Sequence, residues 1–311
     1  MPESKERAEA RYENLQAIEP LLGSLRVLSL STMQMALNRQ QDLTRYAESF
    51  LQVAGQLRGA AGKQKPSTGQ VQTPAYPPRK PRKILAIIGS SRGIIGMYNK
   101  HLARRAAELS ADASEERLIL AFGRRLQTAL TQQDVSFTPK DSLSSGSTPD
   151  YAAASGLIRA WTRDFEAGLL SAVEILSYRK KRRSGEYQPT LTQIIPEHNT
   201  RFESLDKNIG QTTAERQNSR HTLWPEAIIE GDPAVLLEKI SGHLTAIRFY
   251  QLILDSVAAE NLFRYRLLEE AKENTDQLLE ELGQAIQAER RKQITQQLQE
   301  LLTGSDMLGR R

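Results

Sequence analysis

The chain has 311 residues, no cysteine, 6% aromatic and 25% charged residues, and a formal net charge of +5. The lack of cysteine excludes disulfides and thiolate-bound metals. Few aromatics beside many charges favour long amphipathic helices over one large globular core. No apolar run approaches the roughly 20 residues that span a bilayer. The opening MPESKERAEARYENL has no apolar targeting segment, so a soluble intracellular chain is expected. The mild positive charge suits a nucleic-acid binder or a protein seated among acidic partners.

Residues 1–58 read as one long helix. From Glu3 to Leu57 the only proline is Pro20 and the only glycines are Gly23 and Gly55. Leu15, Ile18, Leu22 and Leu25 recur at helical spacing, and Leu43, Tyr46, Phe50, Val53 and Leu57 continue it. Alternating steps of three and four are the seam of a coiled coil, although an amphipathic helix on a globular core looks the same locally. Residues 59–82 are rich in proline, glycine and basic side chains and form a linker or exposed loop. Its charges read as a solvated tether, with a phosphate or an acidic partner surface as the alternative.

Residues 83–200 alternate between strand and helix patterns. KILAIIG reads as a buried strand, HLARRAAELSA as a helix, RLILAFG as a second strand and RRLQTALTQQ as a turn and helix. DVSFTP is a candidate short strand, and YAAASGLIRAWTRDFEAGLL a further helix. Two strands then meet near Ser184 and Gly185. Such alternation predicts a small, mostly parallel, Rossmann-like α/β sheet with helical cover. Residues 201–233 are an irregular connection and foot. From Ala234 to Leu308 there is no proline, and Leu237, Ile240, Leu244, Ile247, Leu254, Ala258, Tyr265, Leu268, Leu279, Leu282 and Ile286 fit one seam. About 75 helical residues would run roughly 110 Å, so that helix needs a partner helix or an enclosing protein. The expected fold class is α/β: a long antiparallel coiled coil of the terminal helices plus the small domain.

The glycine-studded turn ILAIIGSSRGIIGMYN first suggests a phosphate cradle. Its glycines, Gly89, Gly93 and Gly96, miss the G-x-G-x-x-G spacing of a dinucleotide site. The P-loop pattern fails too, because Gly62-Lys63 is followed by Gln64 and lies in the linker. His101, His198, His221 and His243 form no zinc-binding spacing, and no G-x-S-x-G elbow occurs. The basic run from Arg179 to Arg183 reads as a solvated strand end, with an RNA site as the alternative. The aromatic interleaving of a single-strand binder is missing. No catalytic residue, cofactor-binding residue or metal ligand is therefore assigned.

The turn nevertheless resembles a signature. Ser90-Ser91-Arg92-Gly93-Ile94-Ile95-Gly96-Met97-Tyr98-Asn99 is similar to the S-D-R-G-L-C-G-x-x-N of the gamma subunits of F-type ATP synthases. SGEYQPTLTQIIP resembles that family's Q-x-x-P-T-x-x-x-L-L-P strand segment. Glu260, Arg264, Leu268, Ala271 and Asn274 fall where the family has E-x-x-x-R-M-x-A-M-x-x-A-T-x-N. Arg290, Ile294-Thr295, Leu298, Glu300, Gly304 and Leu308 fit R-Q-A-x-I-T-x-E-L-x-E-I-x-x-G-A-x-A-L, and Met33 and Met35 fit A-M-x-M. With the two C-terminal sets counted as one arm, the four regions occur in family order across nearly the full chain. Departures at Ser91, Ile95, Met97, Arg291 and Gln297, and a rewritten N-terminal block, suggest a divergent branch of alternative sodium- or proton-translocating ATPases.

The resemblance implies a non-catalytic rotor shaft that couples ion flow through a membrane ring to ATP synthesis or hydrolysis. It implies alpha and beta subunits of a hexamer, an epsilon subunit and the membrane c-ring as partners, with no cofactor, nucleic acid or directly bound small substrate. Arg290, Arg291 and Thr295 are then expected to contact beta subunits. Leu298, Leu301, Leu302 and Leu308 are expected in an apolar bearing. Glu230, in WPEAIIEGDP, is expected at the ring. The chain would be peripheral, on the cytoplasmic face of a bacterial inner membrane or on a thylakoid membrane. The readings of another class are a coiled-coil scaffold or adaptor, and an RNA-binding protein.

Overall fold

The computed structural model describes residues 5–61, 82–111, 117–145, 148–181, 184–196 and 230–308. The linker beyond residue 61, most of the foot and Arg182-Arg183 lie outside the described residues. In chain order the elements are α1 (Lys5–Ala61), β1 (Arg82–Ile88), α2 (Tyr98–Ser110), β2 (Arg117–Phe122), α3 (Arg124–Thr131), β3 (Thr138–Lys140), β4 (Ser144–Ser145), β5 (Thr148–Pro149), α4 (Tyr151–Glu166), β6 (Leu170–Lys180), β7 (Tyr187–Ile195) and α5 (Pro233–Leu308). They form two compact units: Met1–Ser31 with Leu262–Arg311, and Thr32–Asn261.

The first unit pairs the start of α1 with the end of α5. Arg26 donates to Glu269 at 2.7 Å, Lys272 to Glu19 at 2.8 Å and Arg290 to Glu9 at 3.1 Å. As α1 advances through 9, 19 and 26, α5 retreats through 290, 272 and 269, so the pair is antiparallel. The covered face of α1 here is Ala8, Tyr12, Leu15, Glu19, Leu22, Arg26 and Ser29, all buried or half-buried in steps of four and three. The seam is a heptad seam, but its phase differs from the apolar count. Ile18 and Leu25 are 46% and 39% exposed, while Glu19 and Arg26 occupy the inward positions. Counting apolar residues assumes that charge stays outside. The carboxylate and the guanidinium go in because α5 supplies Lys272 and Glu269, and one residue of shift turns the face by about 100°.

The second unit is built on a five-stranded sheet in the order β3-β2-β1-β6-β7. Central β1 pairs in parallel with β2 and β6, and β7 closes the sheet antiparallel to β6. Ile84 to Ile88 are all buried, which explains why β1 reads as an unbroken apolar run. Ile84, Ala86 and Ile88 share a core with Ala154, Ile158 and Trp161 of α4 and with Phe249, Tyr250 and Ile253 of α5. Alternation puts Leu85 and Ile87 on the opposite face. The strand expected in DVSFTP is shorter and later, at Thr138–Lys140. In this unit too α1 and α5 run antiparallel: Gln40 meets Asp255, Thr44 meets Gln251 and Tyr46 meets His243. From Leu252 to Ala259 every residue of α5 is buried.

Candidate functional site

The turn after β1 is filled by the chain itself. The N–H groups that open a helix have no helical partner and are a ready anion seat. At α3 they are taken: the Ser90 carbonyl accepts from Arg125 N at 3.1 Å and Leu126 N at 3.3 Å, and the Ser91 hydroxyl accepts from Arg124 N at 3.2 Å. Asn99 Oδ1 in turn accepts from Ser90 N at 3.1 Å, so the motif's asparagine holds its first serine in place. Two glycines permit the close approach. A Cβ on Gly123, whose φ is +112°, would lie 2.7 Å from the Gly89 carbonyl oxygen, and one on Gly89 would collide with Leu126. Of the three glycines that miss the phosphate spacing, Gly89 serves close packing, whereas a Cβ on Gly93 or Gly96 would meet no close atom. Beside the turn, Arg92, Lys100 and Arg125 line a shallow cleft of about 350 Å³ with no carboxylate in its wall. Arg92 and Lys100 belong to one local stretch, and topology brings Arg125 of α3 beside them.

A polar node joins four elements in the second unit. Gln40 Nε2 of α1 donates to Asp255 Oδ1 of α5 at 2.7 Å, and Arg179 Nε of β6 lies 3.7 Å from Oδ2. One residue on, the Ser256 carbonyl accepts from the Tyr98 hydroxyl of α2 at 3.2 Å. The Tyr98 ring stacks on Tyr178 with centroids 4.4 Å apart, and the Tyr178 hydroxyl donates to the Tyr98 carbonyl at 3.3 Å. Burial pushes the Asp255 carboxyl above the usual carboxylate range, against the opposing pull of Gln40 and Arg179. Burial, helped by the Asp255 charge, also pushes the neighbouring Tyr187 phenol up to about 12. Sequence reasoning read Arg179 as part of a solvated strand end, whereas the structure half-buries it against Asp255. Gln40 and Asp255 were given no role, and an aspartate inside an otherwise apolar helical stretch was the available signal.

The expected contact residues lie on the end of α5. From Arg290 to Leu301 every residue is exposed. Arg290 is tied to Glu9 of α1, and the Thr295 hydroxyl donates back to the Arg291 carbonyl at 2.9 Å. Ile294, Leu298 and Leu301 are exposed large apolar residues at steps of four and three, with Leu301 70% exposed. The side chains of Leu302 and Leu308 fall outside the described residues. Glu230 is exposed, just before the start of α5, where Asp232 caps the helix by accepting from Ala234 N at 2.9 Å. The structure therefore groups Arg290, Arg291, Thr295, Leu298 and Leu301 on one exposed segment of the first unit, and Glu230 belongs to the second unit. Of the signature residues on α5, Arg264 and Leu268 are buried and Asn274 is exposed.

Among the described residues, no helix is long and apolar enough to cross a membrane. A family profile described as ATP synthase matches residues 4–308. The ATP synthase gamma chain of Renibacterium salmoninarum is 21% identical over 306 residues, covering 96% of each chain. That of Stenotrophomonas maltophilia is 24% identical over 300 residues, covering 95% of this chain and 96% of the relative. Among solved structures, a chain of the central stalk and c-ring of the Tetrahymena thermophila mitochondrial ATP synthase matches in fold. Its TM-score is 0.50 at 14% identity, over 81% of this chain and 99% of that one. With a profile match along almost its whole length, the chain belongs to the ATP synthase family as a gamma subunit.

Proposed function

We propose that this gamma subunit is the central rotor shaft of an F-type ATP synthase and turns inside a hexamer of alternating alpha and beta subunits. It couples ion flow through the membrane ring to ATP synthesis or hydrolysis at that hexamer and makes or breaks no bond itself. The observation that carries this reading is the end of α5: from Arg290 to Leu301 all side chains are exposed, and three large apolar residues recur on the helix. A solvent-facing helix has no use for that stripe; a shaft end enclosed by other subunits does.

The division of labour follows the chemistry. Arg290, Arg291 and Thr295 contact the beta subunits through charge-assisted hydrogen bonds, which form and break at a cost of roughly 1.5–3 kcal/mol each. Leu298, Leu301, Leu302 and Leu308 run in the apolar bearing, where contact is non-directional. Glu230 meets the ring loops, and an epsilon subunit completes the rotor. Because the shaft is asymmetric, each beta subunit meets a different face and is biased to a different conformation. The chain is peripheral, on the cytoplasmic face of a bacterial inner membrane or on a thylakoid membrane.

Reconstitution tests this. The chain should assemble stoichiometrically with its alpha and beta subunits and raise their ATPase activity; failure to do either refutes the shaft reading. Replacing both Arg290 and Arg291 with alanine should lower ATPase activity or torque and leave folding intact. The pair Arg290–Glu9 is solvent-exposed and contributes only about 0–1 kcal/mol to stability. Wild-type torque in the double variant would remove these residues from the beta contact.

A further inference from the structure

We propose that the Asp255 carboxylate keys α5 in register against α1 and the sheet, so that torque passes through the second unit without slip. This rests on the rotor reading and adds a positioning residue to it.

Apolar packing alone does not fix the rotational setting of α5 here. A helix buried on one stripe is held at one rotational setting by the contrast between its faces. Where α5 passes through the second unit that contrast is lost, since Leu252 to Ala259 are buried all the way round. Apolar burial is non-directional, and the small side chains of Ala246, Ala258 and Ala259 give a neighbouring element little to catch on. Such a segment can be stable at several rotations or shifts.

The directional contacts are concentrated on this segment. Asp255 accepts from Gln40 of α1 and faces Arg179 of β6, while the adjacent Ser256 carbonyl accepts from Tyr98 of α2. One turn earlier, Gln251 donates to Thr44 at 3.2 Å and the Tyr250 hydroxyl donates to the Pro149 carbonyl at 2.9 Å. Rotating α5 by one residue, about 100°, would swing the carboxylate away from both Gln40 and Arg179 and leave a charge buried without partners. Misregister is therefore penalised far more than by packing alone.

A buried ion pair is a poor way to gain stability: apolar replacements are often neutral or stabilising, and fixing register is the best-attested use of such groups. Asp255 is only 6% exposed, so its charge is retained against the desolvation cost. In a shaft, resistance to slip is what that charge supplies.

Two readouts on Asp255→Leu decide the matter. The chain has no native cysteine, so labels can be placed freely. In the isolated full chain, spin labels at Arg104→Cys on α2 and Lys239→Cys on α5 report register; the distance distribution should widen clearly in the variant. In the complex with alpha and beta subunits, a rod fixed to Lys140→Cys on β3 reports rotor stiffness. Its angular variance during a nucleotide pause should rise at least twofold, with no fall in melting temperature. Gln40→Leu should move both readouts the same way by a smaller amount. Should Asp255→Leu not fold, Asp255→Asn, which keeps the shape and loses the charge, is read in its place. Unchanged widths, or a wider distance distribution with unchanged angular variance, overturn the proposal. If the wild-type rod does not turn with ATP, the rotor reading itself fails, while the spin-label distances still decide whether Asp255 sets register.

Discussion

Replacing Gly123 with alanine tests the main-chain seal at the turn after β1. The residue has φ +112° and ψ +125°, a region that L-residues enter at a cost of about 1–3 kcal/mol. Its Cβ would also sit 2.7 Å from Gly89 O and 2.9 Å from Ser90 O, and both obstacles are backbone. Neither oxygen can swing aside as a side chain would. Ser90 O is held by Arg125 N and Leu126 N, and Gly89 N is bonded to Phe122 O at 3.0 Å. Relief must come from breaking those bonds or shifting β1 from β2, which adds a further 1–3 kcal/mol or so, as overpacking does. The expected loss is therefore about 2–6 kcal/mol in the second unit. Urea unfolding followed by the fluorescence of Trp161, buried against Phe249, reads it once Trp224 is replaced by phenylalanine. Gly96→Ala is the control: its φ is +53° with no atom within 4 Å of the added Cβ, so about 1 kcal/mol is expected. A Gly123→Ala variant within about 0.5 kcal/mol of wild type would show that the turn is not closed as described.

Three further outcomes follow from local features. Ile94 has φ +57° and is half exposed; asparagine tolerates that conformation better, so Ile94→Asn should stabilise the second unit by about 0.5–1 kcal/mol in the same urea assay. Pro20 lies inside α1, where it removes a helical hydrogen bond, so Pro20→Ala should raise helix content and stability by up to about 3 kcal/mol; a fall in circular-dichroism helicity would contradict this. The Asp255 carboxyl has a folded-state pKa raised by burial among Gln40, Arg179 and Tyr187. A raised carboxyl pKa gives stability that is full below the unfolded value and lost as pH climbs through the folded value. Asp255→Asn should therefore gain on wild type between acidic and neutral pH. A urea-midpoint difference that stays constant with pH would contradict the raised pKa.

How legible each part was depended on whether its cause lay within one element. β1 was readable because a strand buried on both faces must be a run such as Ile84 to Ile88. The β6–β7 hairpin was readable because Gly185 bonds back to the Lys181 carbonyl at the turn. The long helices were readable from periodicity, but the seam phase of α1 was not, because Glu19 and Arg26 turn inward only when Lys272 and Glu269 meet them. The Asp255 node combines residues from distant segments that only topology brings together, and topology likewise sets Arg125 beside the local pair Arg92 and Lys100. Arg290, Arg291 and Thr295 came from resemblance. Within the chain they look like any solvated helix face, since the groups that would distinguish them belong to other subunits.

The seal at the start of α3 bears on what that helix can bind. The start of a helix that follows a parallel strand is a natural phosphate seat, and α3 follows β2 in this way. Here a serine carbonyl already sits there, locked by two amide donors and by glycines that admit nothing larger. A phosphate would have to evict the main chain before it could bind at that helix start. The start of α3 is thereby closed to anions, and its geometry answers to packing rather than to occupancy.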